Sequence, residues 1–139
     1  MQMTSIKCKM PVIIAISLVV TLSTEASPRK PTPTLVEVWC GGDDGLTIKL
    51  RDALEDAFRS SSAFRLSSGK KPGTLLVTIP SNVEWKQFGS RTQVLYAVEF
   101  TSADDAKLGS SKGSCWDTKL EKCATQVVKD AKTAARKID

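Results

Sequence analysis

Histidine is absent from the 139 residues. That removes the usual general base near neutral pH, the Ser-His and Cys-His nucleophile pairs, and the commonest zinc ligand. Catalysis would have to rest on carboxylates, lysine, a thiol or the single tyrosine, Tyr96. Strong charge of one sign is also lacking: 20 basic residues against 15 acidic leave +5, far from a nucleic-acid-binding signature. No internal repeat or low-complexity tract is present. A membrane span is missing too, since crossing needs about 20 apolar residues and the uncharged run at 11–22 has twelve.

That run belongs to a leader. Lys7 and Lys9 precede it, and small residues follow, with Thr24 and Ala26 at the spacing of a cleavage site before Ser27. Basic, apolar, then small is the order of a secretory signal peptide, so residues 1–26 are expected to be cleaved near Ala26-Ser27. Cys8 lies ahead of the apolar run, where it does not serve as a lipidation site. The expected address is periplasmic or secreted, with the membrane met only through the cleaved leader. Taking 26 from 139 leaves 113 residues, enough for one small domain. Residues 27–33 hold Pro28, Pro31 and Pro33 with Arg29 and Lys30, an extended basic spacer.

From 34 to 139 the pattern is that of a single α+β domain. Leu35 to Cys40 alternates as a strand, with Val36, Val38 and Cys40 on one face. Gly41 to Gly45 breaks it. Leu46, Leu50, Ala53, Leu54, Ala57 and Phe58 then mark one helical stripe, with Asp43 or Asp44 as the cap and Glu55–Arg59 as an outer pair. Phe64 and Leu66 suggest a short extended piece. Residues 74–79, 83–88 and 92–100 read as strands, the last two as a hairpin, and 107–114 as a weak edge strand or a loop. A helix is expected from 118 to 137, capped by Asp117, with Leu120, Cys123, Ala124, Val127, Val128, Ala131, Ala134, Ala135 and Ile138 buried. The fold class is therefore α+β: a two-layer sandwich of a mixed four- or five-stranded sheet with two helices on one face. The first crossover should be parallel and right-handed.

With Gly41 to Gly45, Ala57-Phe58-Arg59-Ser60, Phe64-Arg65-Leu66 and the Asp104-Asp105 turn in place, the order resembles a group of small bacterial envelope modules. The amino-terminal domain of TolB and the periplasmic domain of the curli secretion lipoprotein are of this kind. The resemblance covers about residues 34–138 and rests on pattern and order. It implies a non-catalytic module that contacts other envelope proteins, and it transfers no site residue.

Three cysteines remain after cleavage, and an oxidising compartment favours one bridge and one thiol. A chain reversal at Trp116-Asp117 brings Cys115 and Cys123 within disulfide reach, so that pair is preferred, with Cys40–Cys123 as the rival. Cys40 is then a small apolar residue or, alternatively, a reactive thiol. Asp43-Asp44 and Asp104-Asp105 lack the spacing of a calcium loop and are read as cap and turn. Gly41 to Gly45 lacks the Gly-Lys-Ser/Thr ending of a phosphate loop. No catalytic, cofactor-binding or metal residue is assigned and no cofactor is expected. Trp39, Trp85, Tyr96 and Trp116 are candidates for an interaction surface. The expected function is a non-catalytic binding domain whose partner is an envelope or extracellular protein, with no role in nucleic-acid binding. The alternatives are an accessory or inhibitor-like protein of cell-wall or glycan enzymes, and a hydrolase built on two carboxylates.

Overall fold

The computed structural model describes residues 32–138. The predicted signal peptide, its cleavage point and residues 27–31 of the arm lie outside the described residues. The chain runs β1 (Thr34–Cys40), α1 (Gly45–Ser60), β2 (Phe64–Leu66), β3 (Leu75–Ile79), β4 (Glu84–Phe88), β5 (Arg91–Ser102) and β6 (Lys107–Trp116). A 3-10 turn (Asp117–Lys119) then leads into α2 (Leu120–Ala135).

Among the described residues these strands form one mixed sheet of six. β1 lies between β2 and β3 and parallel to both, which agrees with the parallel first crossover. β3, β4 and β6 all run antiparallel to β5. β3 pairs with the second half of β5, from Glu99 to Ser102, and β4 with its first half, from Arg91 to Leu95. The two therefore lie end to end along one edge of β5, while β6 takes the other edge. Residues 80–83, opening with Pro80, interrupt what would otherwise be one long strand.

The strand count exceeds the expected four or five for two reasons. Phe64–Leu66 is a true strand, held by three parallel partners on β1. Lys107–Trp116 is a full ten-residue strand, because its hydrogen bonds to β5 do not depend on what its side chains are.

Both helices pack on one face. Val36, Leu75, Val77, Ile79, Val94, Val98 and Phe100 point at them and meet Leu50, Leu54 and Phe58 of α1 and Ala124, Val127 and Ala131 of α2. The alanines let α2 sit close. Ala135 and Ile138 are only partly buried at the end of that stripe.

The turn into α1 is tightly tied. Asp44 Oδ1 accepts the Thr47 N–H at 2.7 Å, so Asp44 is the cap. The Asp43 and Asp44 N–H groups both donate to Asn82 Oδ1, at 2.9 and 3.1 Å. A side chain at Gly41 would run into the Pro80 carbonyl, so the close passage of these two segments requires glycine there. The expected Glu55–Arg59 pair is replaced by Arg59–Asp56 at 2.8 Å, one residue nearer on the same outer face. Asp117 does not cap α2 by its side chain, because the 3-10 turn intervenes and displaces the helix start to Leu120.

Hydrogen bonds from Thr47 hold the Asp44 carboxyl below the ordinary aspartate range. A depressed carboxyl stabilises the fold above its unfolded value of about 4 and loses that contribution as pH falls through the folded value. Asp44→Ala is expected to lower the melting temperature at pH 7 by roughly 5 °C, the scale of a single lost cap. The gap to wild type should close in melts taken progressively below pH 4. A gap unchanged by acid would contradict the capping role.

Candidate functional site

Among the described residues no helix or second sheet covers the face of the sheet away from the helices, and its two ends differ. At one end the loop of residues 67–73 folds across it. Glu37 accepts the N–H groups of Gly69 and Lys70 at 3.3 and 3.0 Å, and Lys70 Nζ reaches Asp105 at 3.2 Å. The loop thus spans from β1 to the β5–β6 turn, over the row that contains the buried Leu76. The one charge on this face of β1 is an anchor for that loop.

The other end is the β4–β5 hairpin, and it is bare. Every residue of β4 is exposed. Its turn, Gly89-Ser90, has Gly89 at φ +60°, the left-handed position that glycine fills in two-residue hairpins. On the open face Phe88 meets Trp116 edge-on, with ring centroids 6.1 Å apart and planes at 87°. Arg91 lays its guanidinium 3.7 Å from the centre of the Trp116 ring. Such a cation–π contact contributes about 0.5–1 kcal/mol where water reaches it. Trp116 is fixed from below, because the preceding residue, Cys115, is bridged to Cys123 in the first turns of α2. The Cα separation of 5.7 Å is the disulfide range expected from the sequence. Cys40 is a free, half-buried thiol whose Sγ–H donates to the Gly42 carbonyl at 3.1 Å.

The four predicted surface aromatics do not form one patch. Trp116 is half-buried in the cluster with Phe88 and Arg91, neither of which the sequence had singled out. Trp85 is 59% exposed, but it pairs with Val94 and so emerges on the opposite face of the same hairpin. Trp39 is 46% exposed on the open face, opposite Thr78 and so level with Glu99. Trp116 is level with Gln93, which places the two tryptophans about 20 Å apart along the strands.

Tyr96 corrects the expectation: it is 4% exposed and belongs to the core, because its strand position faces α2. Its hydroxyl lies 3.3 Å from Ser111 Oγ, Ser111 donates to Asp130 Oδ2 at 2.6 Å, and Gln126 donates to Asp130 Oδ1 at 3.0 Å. This chain joins β5, β6 and α2. Burial raises the phenol's pKa, the Ser111 hydrogen bond opposes that, and the nearby Asp130 carboxylate adds to it.

A groove of about 840 Å³ runs between α1 and α2 and carries Asp56 and Glu121 beside Lys129 and Lys132. Both carboxylates are exposed, and Asp56 is paired with Arg59. Among the described residues no group of three or more Cys, Asp or Glu is placed to hold a metal ion, and no helix is long and apolar enough to cross a membrane.

No family profile and no curated protein matches the chain. Solved structures do. A Xanthomonas campestris protein of the DUF330 family superposes with a TM-score of 0.51 at 11% identity, over 79% of this chain and 92% of its own. The PelC dodecamer from Paraburkholderia phytofirmans gives 0.47 at 13% identity, over 74% and 87%. A minor lipoprotein from Acinetobacter baumannii gives 0.43 at 10%, over 72% and 94%. The first shows a shared fold, and the other two fall below the level that supports an argument. The narrower likeness to TolB and the curli lipoprotein is not shown by these comparisons. What the chain shares with a bacterial DUF330 protein is its fold.

Proposed function

We propose that this chain is an exported, non-catalytic binding domain of a bacterial envelope, and that it grips a protein partner through the open-face end of the β4–β5 hairpin. The observation that carries the reading is the Phe88–Trp116–Arg91 cluster. Phe88 stands 52% exposed on an aromatic–cation platform that the adjacent Cys115–Cys123 disulfide anchors to α2. Aromatics and arginine dominate interface energetics, and an arginine already stacked on a ring has less freedom left to lose on contact. The disulfide suits an oxidising compartment outside the cytoplasm. At this end the described residues offer stacking and a cation.

The test is capture from an envelope extract with the wild-type chain and with a Phe88→Ser/Arg91→Ala double variant. Both positions are exposed, so the fold should survive, which circular dichroism checks. The wild type is expected to retain a protein that the variant loses by about tenfold or more. Equal capture by both would remove this surface as the contact.

A further inference from the structure

We propose that two copies of this chain pair antiparallel along the free edge of β4, making one continuous sheet across a twofold axis. The inference concerns the backbone edge of β4, which shares Phe88 with the aromatic platform; its test reads association of the chain with itself, so its failure is distinct from failure of the partner reading above.

The sheet's outer edges are treated unequally. β2 is only three residues long. β6 carries Lys107 and Lys112, and Lys137 Nζ from beyond α2 occupies its Leu108 carbonyl at 2.9 Å. Short strands, lysines and blocked acceptors are the ordinary guards against edge-to-edge pairing. β4 also carries a lysine, Lys86, but among the described residues no strand flanks its outer edge and no side chain occupies an outer acceptor there.

The direction of its backbone groups can be read from Val83. The Val83 N–H points away from β5 and donates to Thr47 Oγ1 of α1 at 2.9 Å. Successive residues of a strand alternate, so Trp85 and Gln87 direct their N–H and C=O groups to the same outer side. Closure of the hairpin at Phe88–Arg91 requires the same alternation. Those four groups are the unused template. Thr47 and the Asp43–Asn82 contact close the edge just before Glu84, which limits any overlap to residues 84–88. An antiparallel pair confined to five residues is centred on Lys86. Trp85 of each copy then lies opposite Gln87 of the other, and four backbone hydrogen bonds form.

The side chains favour a second copy as the occupant. Glu84 and Lys86 share one face, so each Glu84 is diagonal to the other copy's Lys86; the two Lys86 side chains meet across the dyad, and the two diagonal attractions must offset that one repulsion. The four charges cancel as a set. On the opposite face the two Trp85 side chains approach diagonally over the dyad, covering apolar surface that is bare in one copy. A closed isologous pair is also the commonest symmetric assembly.

The contact is small, so association is expected on the order of 10–100 µM. Sedimentation equilibrium on the protein expressed from its full-length sequence, from about 10 µM to about 1 mM, tests it. Dimers should appear for the wild type. Lys86→Glu and Glu84→Lys should each weaken association by about tenfold or more, and the double exchange should restore it. Amide exchange at Trp85 and Gln87 should slow as concentration rises. A monomer throughout, association indifferent to the charge exchanges, or amides at Trp85 and Gln87 that exchange equally fast at all concentrations would each overturn the proposal.

Discussion

Phe58→Ala is expected to lower the unfolding free energy by about 3–5 kcal/mol, the range for a large aromatic removed from a packed core. Phe58 is fully buried in the last turn of α1 and meets Phe64 edge-on, with ring centroids 5.0 Å apart and planes at 87°. Losing the ring therefore leaves a cavity and also frees Phe64, whose strand is only three residues long. Single domains of this size have about 5–15 kcal/mol in total, so the variant should be close to its unfolding threshold at 37 °C. Urea melts monitored by tryptophan fluorescence measure the loss. Phe58→Leu keeps most of the volume and should recover more than half of it. A loss below about 1 kcal/mol for the alanine variant would show that the α1–β2 corner is not part of the cooperative core.

Replacing both bridged cysteines, Cys115→Ala with Cys123→Ala, is expected to cost about 2–3 kcal/mol in the chain-entropy account of so short a loop. In a domain of roughly 100 residues that lowers the melting temperature by about 10–20 °C. Alanine is the better probe, because Cys123 is 1% exposed and a serine hydroxyl there would lack water. Reduction of the wild type should reproduce the shift without any change of residue. The bridge also joins the end of β6 to α2 next to Trp116, so its removal should broaden the tryptophan signals of the aromatic platform before global unfolding. Reduced and oxidised protein melting within about 2 °C of each other would deny the bridge its stabilising role.

The two layers, the strand–turn–helix start, the hairpin and the disulfide were all legible, because each is written in a local period or a short spacing. Val94, Tyr96, Val98 and Phe100 alternate in the sequence and are buried in the structure. β6 was hard to read for a physical reason. Its helix-facing positions are Gly109, Ser111, Gly113 and Cys115, small residues that let α2 approach, and small residues carry no strand preference. β2 is too short to show a period. The cluster of Phe88, Arg91 and Trp116 joins residues 25 apart in the chain, from Arg91 to Trp116, and only the register of β5 with β6 brings them together. A lone tyrosine alternating with valines fits a surface or a core, so the pattern alone does not show that Tyr96 is buried. Its hydroxyl finds Ser111, and that partner lies on another strand.

The placement of β1 between two parallel neighbours sets the order in which pieces of this chain can close. β5 and β6 are separated only by the four residues between Ser102 and Lys107, and α2 follows almost at once. β1 reaches β3 only across the 34 residues between Cys40 and Leu75. On the logarithmic scaling of loop entropy that longer closure costs about 2 kcal/mol more. Both strands that β1 pairs with come after it in the chain, so it has no ladder partner until β2 is made and no full-length one until β3. Of the described strands, the earliest is the most expensive to seat.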